Sequence, residues 1–297
     1  MPVLTPRALS FTAMFAAVLI YGGQFPFVRL GLASGLTPYD LGALRFIVAG
    51  VVMVPVFVAL GVRDCAGLGW TRGIVLFLTG GLPLAVISNA GLQWAPAAHG
   101  SAIQPGTVAV TATLLGYLAH GMAVPGRVIF GLSVVLSGLG LVALSGVQGE
   151  TGPYVLLGDA LFVGCGLAWG GFTYLCARWK VAPLAGTAVV SILSVACLPA
   201  YFAWFSPRLM DLPFGVIAFH GIYQGLLNIV IGLVLWTYGA RGLGATTAAR
   251  FPPLIPVLGT FMAIPVLGEV PSPMTLLGIA AIVVGLLYAS SAKRPSD

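Results

Sequence analysis

Three polar side chains, His220, Gln224 and Asn228, stand at four-residue steps inside a long apolar run, with Tyr223 beside them. That spacing puts all three on one face of a helix. Amides and an imidazole in a stripe can donate and accept hydrogen bonds to a ligand or to a neighbouring helix; they hold, rather than cleave, what they touch. Asn89 and Gln93 form a second, weaker pair four residues apart, and Gln24 lies next to Gly22-Gly23 and Pro26. Trp169, Thr173 and Tyr174 mark a further region, where Trp169 could stack a ligand ring or hold a cation on its π face, or simply pack. Arg250 precedes Phe251-Pro252-Pro253. Facing a central cavity, its guanidinium would bind a carboxylate or phosphate; pointing to the membrane surface, it would be an orientation signal only. Arg45 is placed in that second class, close to a helix end with Asp40 as its partner. His220 is also the candidate for proton coupling.

The elements that must position these groups follow from composition. Of 297 residues, 59% are hydrophobic and 7% charged, and the mean hydropathy is +1.06. Soluble domains carry roughly a quarter charged residues, so the solvent for this chain is lipid. A helix needs about 20 apolar residues to cross the hydrocarbon layer. Uninterrupted apolar stretches predict ten spans, at 8–30, 39–60, 72–94, 100–121, 127–147, 154–178, 187–205, 213–239, 246–267 and 274–291. The first is read as a span, not a signal peptide, because its apolar run continues past the length of a signal core.

The net charge of +6 is explained by position rather than by nucleic acid. Arg7, Arg63, Arg72, Arg127, Arg178, Lys180, Arg241, Lys293 and Arg294 fall on the side of the termini, whereas the opposite loops clearly hold only Arg208. This bias places both termini in the cytoplasm. Cys65, Cys165, Cys176 and Cys197 have no ligand-pair spacing and read as small apolar fillers.

Landmarks recur at a fixed distance. Pro105, Gly121, Gly131 and Gly138 return 147 residues later as Pro252, Gly268, Gly278 and Gly285, and Tyr21-Gly22-Gly23 is echoed by Trp169-Gly170-Gly171. The expected organisation is therefore a first five-helix repeat at 1–147, a connecting loop at 148–153, a second repeat at 154–291 and a tail at 292–297. An odd number of spans per copy makes the copies inverted. The expected fold is an all-α integral membrane protein of ten transmembrane helices in two inverted repeats. Small residues seven apart, Gly131 and Gly138 in span five and Gly278 and Gly285 in span ten, suit close helix contact, so these two spans read as scaffold. Pro105 and the cluster Pro252, Pro253 and Pro256 occupy equivalent spans and are hinge candidates.

The stretch Leu36-Thr37-Pro38-Tyr39-Asp40-Leu41-Gly42-Ala43-Leu44-Arg45-Phe46, the segment Trp94-Ala95-Pro96-Ala97-Ala98, and Gly244-Ala245-Thr246-Thr247-Ala248-Ala249 followed by Pro252, Pro256 and Gly268-Glu269 resemble the drug/metabolite transporter superfamily, specifically its EamA-type repeat. The resemblance covers nearly the whole chain and implies a ten-helix exporter of small metabolites in a bacterial inner membrane. Two positions depart from the pattern: the Gly-Glu pair of the second copy is Gly121-Met122 in the first, and the usual Trp-Gly opening is Tyr21-Gly22.

No HExxH pair, phosphate-binding loop, dinucleotide fingerprint or nucleophile triad is present in the sequence, which argues against an enzyme. His99, His120 and His220 are scattered and read as structural, and Asp159 and Glu269 lie near span ends. No cofactor or metal is expected. The expected partners are a small-molecule substrate and membrane lipid, not nucleic acid, with the chain a monomer or homodimer. The expected function is alternating-access export of a small amphipathic metabolite such as an amino acid. The alternatives are export of organic cations or anionic metabolites, and a non-transporting receptor or scaffold.

Overall fold

The computed structural model describes residues 6–119, 121–148, 152–204, 207–209 and 211–290; His120, the middle of the connecting loop and the tail with Lys293 and Arg294 lie outside them. All regular structure among these residues is helical: α1 (Pro6–Ala33), α2 (Pro38–Leu60), α3 (Trp70–Gly80), α4 (Leu82–Trp94), α5 (Ala97–Ala119), α6 (Gly126–Gln148), α7 (Val155–Arg178), α8 (Pro183–Ala196), α9 (Leu198–Trp204), α10 (Phe214–Gly221), a π-helical segment (Ile222–Ile231), α11 (Gly232–Leu243), α12 (Ala245–Ala248), α13 (Leu254–Leu267) and α14 (Pro273–Ser290). Among the described residues, nine helical stretches are long and apolar enough to cross a membrane, and Leu254–Leu267 is a shorter apolar helix. This is a multi-pass membrane architecture. Nine of the ten expected stretches are found at spanning length and the expected ninth holds the shorter apolar helix Leu254–Leu267; four of the ten are internally broken or widened.

Each irregularity has a local cause. Span three breaks at Gly81, and the amide of Leu82 that the break frees donates to Ser194 Oγ at 3.0 Å. A side chain from a neighbouring helix thus answers the polar group that lipid cannot. Span seven divides between α8 and α9. Span nine is interrupted at Phe251-Pro252-Pro253, between α12 and α13, because neither proline supplies a backbone donor. Span four, by contrast, runs unbroken through Pro105. The paired prolines therefore sit in different local structures, Pro105 in a continuous helix, Pro252 and Pro253 at a gap, and Pro256 in the first turn after it.

The helix ends account for other echoes in the sequence. Thr37 caps α2 by a reciprocal box: its Oγ1 accepts from the Asp40 amide at 3.1 Å, and Asp40 Oδ2 accepts from the Thr37 amide at 2.8 Å. Gly121 and Gly268 follow the ends of spans four and nine with φ of +61° and +71°. Only glycine takes that left-handed turn without steric cost, so their shared position is a shared helix stop.

The packing also runs in matched pairs. α1 lies against α13, and α7 lies against α5; α1 lies against α11, and α7 lies against α3 and α4. α2 packs on α8, and α6 on α14. Exchanging the first five spans for the second five maps each contact onto another or onto itself. Along α6 and α14 the four small residues face one another as the seven-residue spacing requires. A Cβ on Gly138 would come within 2.6 Å of the Gly278 carbonyl oxygen, and one on Gly285 within 2.6 Å of that of Gly131. Backbones so close exclude any side chain at these positions. Gly138→Val is therefore expected to lower the thermal unfolding midpoint in detergent, by about 1–3 kcal/mol of stability. Gly140→Val, at an open, exposed position of the same helix, serves as the control, and equal midpoints for the two variants would reject this seam.

Candidate functional site

The polar stripe of span eight is real and faces inward. His220 and Gln224 are each 1% exposed and Asn228 is 5% exposed. The π-helical segment that carries Gln224 and Asn228 is a wider helix of a kind often found at functional positions. Its Gly225 permits contact with α2: a Cβ there would sit 2.7 Å from the carbonyl oxygen of Arg45. That close approach brings the stripe to the Arg45 side chain.

Arg45 is the centre of the cluster, which corrects its reading as a surface signal. Its Nη2 donates to Gln24 Oε1 and to Asn228 Oδ1, each at 2.6 Å, tying α2 to α1 and to the π segment. Asp40 is not its partner. At 3.6 residues per turn, positions five apart diverge by about 140° around a helix, so the two charges of α2 point to different neighbours. Asp40 accepts instead from the Tyr201 hydroxyl of α9 and from the Arg208 amide at 3.3 Å. Several buried polar atoms of Arg45 and the stripe have no hydrogen-bond partner in the protein: Arg45 Nε, both amide atoms of Gln224, Asn228 Nδ2 and His220 Nδ1. Each orphan of this kind costs about 1–3 kcal/mol. Tyr223 completes the wall, its hydroxyl donating to the Ile20 carbonyl at 2.9 Å and its ring lying 4.4 Å from that of Phe27.

The other expected site residues fall elsewhere. Asn89 is buried and donates to the Pro38 carbonyl at 3.2 Å, fixing the start of α2, whereas Gln93 is exposed. The two share a helix but not the cluster. Trp169 is exposed and stacks on Phe172 at 4.9 Å. Thr173 is exposed and spends its hydroxyl on the Trp169 carbonyl, one turn back, and Tyr174 accepts from Arg178 at 2.7 Å. Arg250 lines a shallow surface pocket of about 180 Å³ with Phe11, Thr247, Phe251 and Leu254. Those neighbours belong to α1, α12, the gap after it and the start of α13, on the side of the termini, and not to the Arg45 cluster. Pro253 is the N-cap of α13, and Pro256 is buried in its first turn. His220 packs against Gly31 of α1, where a Cβ would meet its ring at 2.9 Å.

Two constellations at the end of the bundle away from the termini were not expected from the sequence. Arg29, at the end of α1, pairs with Glu269 beyond α13, and its Nη1 donates to the carbonyls of Leu92 and Ala95, each at 2.7 Å. Glu269 Oε2 accepts from the Ala97 amide at 2.9 Å. The cation thus meets the C-terminal carbonyls of α4 and the anion an N-terminal amide of α5, the ends at which each charge is favoured. Beside it, His99 Nδ1 lies 2.9 Å from Asp159 Oδ1, and His99 Nε2 lies 3.3 Å from Ser145 Oγ, which in turn contacts Thr275 Oγ1 at 2.8 Å. His99 and Asp159 are both buried. Spans one, three, four, five, six and ten, with the segment after span nine, are thereby joined by charged or polar contacts at one end. The Gly268-Glu269 pair was a signal for half of this. The 60-residue gap between His99 and Asp159 carried none.

Comparison with known proteins agrees with this architecture. Residues 156–291 match the EamA-like transporter family. A protein of Streptantibioticus cattleyicolor named a probable terminal-alkyne amino-acid exporter is 27% identical over 93% of this chain and 91% of its own length. An uncharacterized transporter of Bacillus subtilis, YwfM, is 27% identical over 46% of each chain. A solved crystal structure, 20% identical, has the same fold with a TM-score of 0.62 over 94% of this chain and 96% of its own.

The geometry predicts that Glu269 holds the end away from the termini shut. Ala98→Cys places a thiol at a buried position next to the contact. Its labelling by a water-soluble maleimide is expected to be slow in the otherwise native protein and several-fold faster when Glu269→Gln is added. Identical rates would show that the ion pair does not close that face.

Proposed function

We propose, from the match of residues 156–291 to the EamA-like transporter family, that the whole chain is a secondary transporter exporting a small amphipathic metabolite, of the size and character of an amino acid, by alternating access. The activity that goes with that family is transport across a membrane, not catalysis. The observation that carries the reading is the Arg45 cluster: a cation and three amides, inside spans one, two and eight, with several polar atoms that the protein itself leaves unanswered. Intramembrane polar groups of this kind mark a substrate path. The amino-acid assignment draws on the name of the Streptantibioticus relative.

The two halves act as inverted five-helix repeats, at 1–147 and 154–291, with both termini on the cytoplasmic side of a bacterial inner membrane. The matched helix pairings and the basic loops support this arrangement. With that orientation, Arg29–Glu269 and His99–Asp159 close the outer face. The equivalent of Glu269 in the first repeat is Met122, so the inner face has no matching carboxylate. Span nine is interrupted at its prolines while span four is continuous. Alternation then consists of exchanging those two conformations between the repeats, with the Arg45 cluster exposed first to one side and then to the other. Gln24, Tyr223, Gln224 and Asn228 contact the substrate, and Pro105, Pro252, Pro253 and Pro256 are the hinge positions.

The test is counterflow by protein reconstituted in liposomes, with amino acids, organic cations and phosphorylated metabolites as competing classes. Movement of at least one class is expected, and well-folded protein that moves none would overturn the transporter reading. Gln224→Ala combined with Asn228→Ala is expected to raise KM by about tenfold or more, as loss of buried hydrogen bonds to a ligand does. Unchanged kinetics would remove the stripe from the site.

A further inference from the structure

The chemistry of the orphaned atoms is not balanced. Arg45 carries a full positive charge, and neither ion pair among the described residues involves it. Its Nη2 is satisfied only by two neutral amide oxygens. With those oxygens turned to the guanidinium, the Asn228 amide must present its NH2 elsewhere, and that NH2 has no acceptor in the protein. Arg45 Nε and Gln224 Nε2 are in the same position, against a single unpaired amide oxygen, Gln224 Oε1. The cluster is therefore cationic and rich in donors.

A carboxylate supplies what is missing. It brings one negative charge and two oxygens with about four lone-pair directions, matched to a guanidinium edge and flanking amides. A phosphate dianion would bring two charges to a site with one cation. An organic cation would need an acid, and the acids at span ends are engaged: Asp40 with Thr37 and Tyr201, Asp159 with His99, and Glu269 with Arg29. We infer that Arg45, Gln224 and Asn228 form the carboxylate end of the transport site, and that the cargo is a small monocarboxylic acid recognised by its carboxylate rather than by any amino group. This rests on the transporter reading above.

The geometry also links docking to movement. Nη2 already serves two amide oxygens, so a carboxylate settling on the Nε edge takes the place of one of them. That releases either the tie from α2 to Gln24 of α1 or the tie from α2 to Asn228 of the π segment. Loading thus loosens one of the two contacts that hold these three elements together.

The experiment uses the full-length protein and four matched probes: leucine, N-acetyl-leucine, leucinamide and 3-methylbutylamine, with the corresponding phenylalanine set. Counterflow in liposomes and thermal stabilisation in detergent are read in parallel. The two acids of a set are expected to be carried and to stabilise the protein, and the amide and the amine to do neither. Arg45→Gln is expected to weaken the acids by roughly thirtyfold or more, the loss of a charge-assisted hydrogen bond. Because Arg45 also ties helices together, Gln224→Glu is the second variant. Gln224 has no partner in the protein to lose, and a carboxylate placed there should occupy Arg45 and exclude the acids. Carriage of amine or amide as effective as that of the acids, or a Gln224→Glu protein with undiminished preference for acids, would overturn the inference while leaving transport intact. If no compound of any class is moved, the transporter reading fails, and stabilisation decides the site alone. Stabilisation by the acids only, lost in Gln224→Glu, upholds it, and stabilisation by none or by all four alike overturns it.

Discussion

Within the hydrocarbon layer no water answers a polar group, so every donor, acceptor and charge there must find its partner in the protein or bear the cost of lacking one. That constraint orders this molecule. Backbone groups are satisfied by making the chain helical. Where a helix breaks, as at Gly81, the freed Leu82 amide is met by Ser194 from another span. Charges at the end away from the termini are met in closed sets, Arg29 with Glu269 and two helix ends, His99 with Asp159 and Ser145. Against this background of matched partners, the incomplete set around Arg45 stands apart.

The same constraint explains why glycine is so prominent. Lipid gives apolar side chains no reason to prefer protein over acyl chains, so helices associate by close packing and polar ties. At α6 and α14 the close packing is backbone on backbone through Gly131, Gly138, Gly278 and Gly285. At α2 and the π segment it is Gly225 against the Arg45 carbonyl, and there the closeness has a second effect, since it delivers Asn228 to the guanidinium. A larger residue at 225 would separate the groups that make the cluster.

These relations were unequally legible in the sequence. Apolar length alone located the spans, because crossing lipid imposes a length and a composition that few other structures share. The small-residue spacing of spans five and ten translated directly into contact, and the four-residue stripe of span eight into a shared buried face, because both depend on periodicity within one helix. Arg45 did not. Its position seven residues into α2 was visible, but Asp40 was nearer in sequence than Gln24 or Asn228, and only the three-dimensional arrangement shows that Asp40 points toward Tyr201. His99 and Asp159 were hidden for the same reason. A pair across 60 residues has no period, and neither residue is unusual until the other is placed beside it. Asn89 and Gln93 part company in the structure, one buried on the Pro38 carbonyl and the other exposed, since a shared helix face does not say whether that face meets a neighbour, a cavity or lipid.

The distribution of satisfied and unsatisfied groups says how the parts divide their work. Contacts that are complete, such as Arg29 with Glu269, stabilise the arrangement in which they are made and must be broken to leave it. Contacts that are incomplete, such as those of Arg45, can be improved only by something that arrives. A transporter needs both, because a ligand shifts a conformational equilibrium only by the difference in its interaction with the two states. An anion that completes the Arg45 cluster gains most where it can reach Nε and the free amides, which the closed packing seen here prevents. In the proposed transport cycle the binding energy is therefore available only after the bundle has opened to one side, and the polar closure at the end away from the termini keeps the two openings from coinciding.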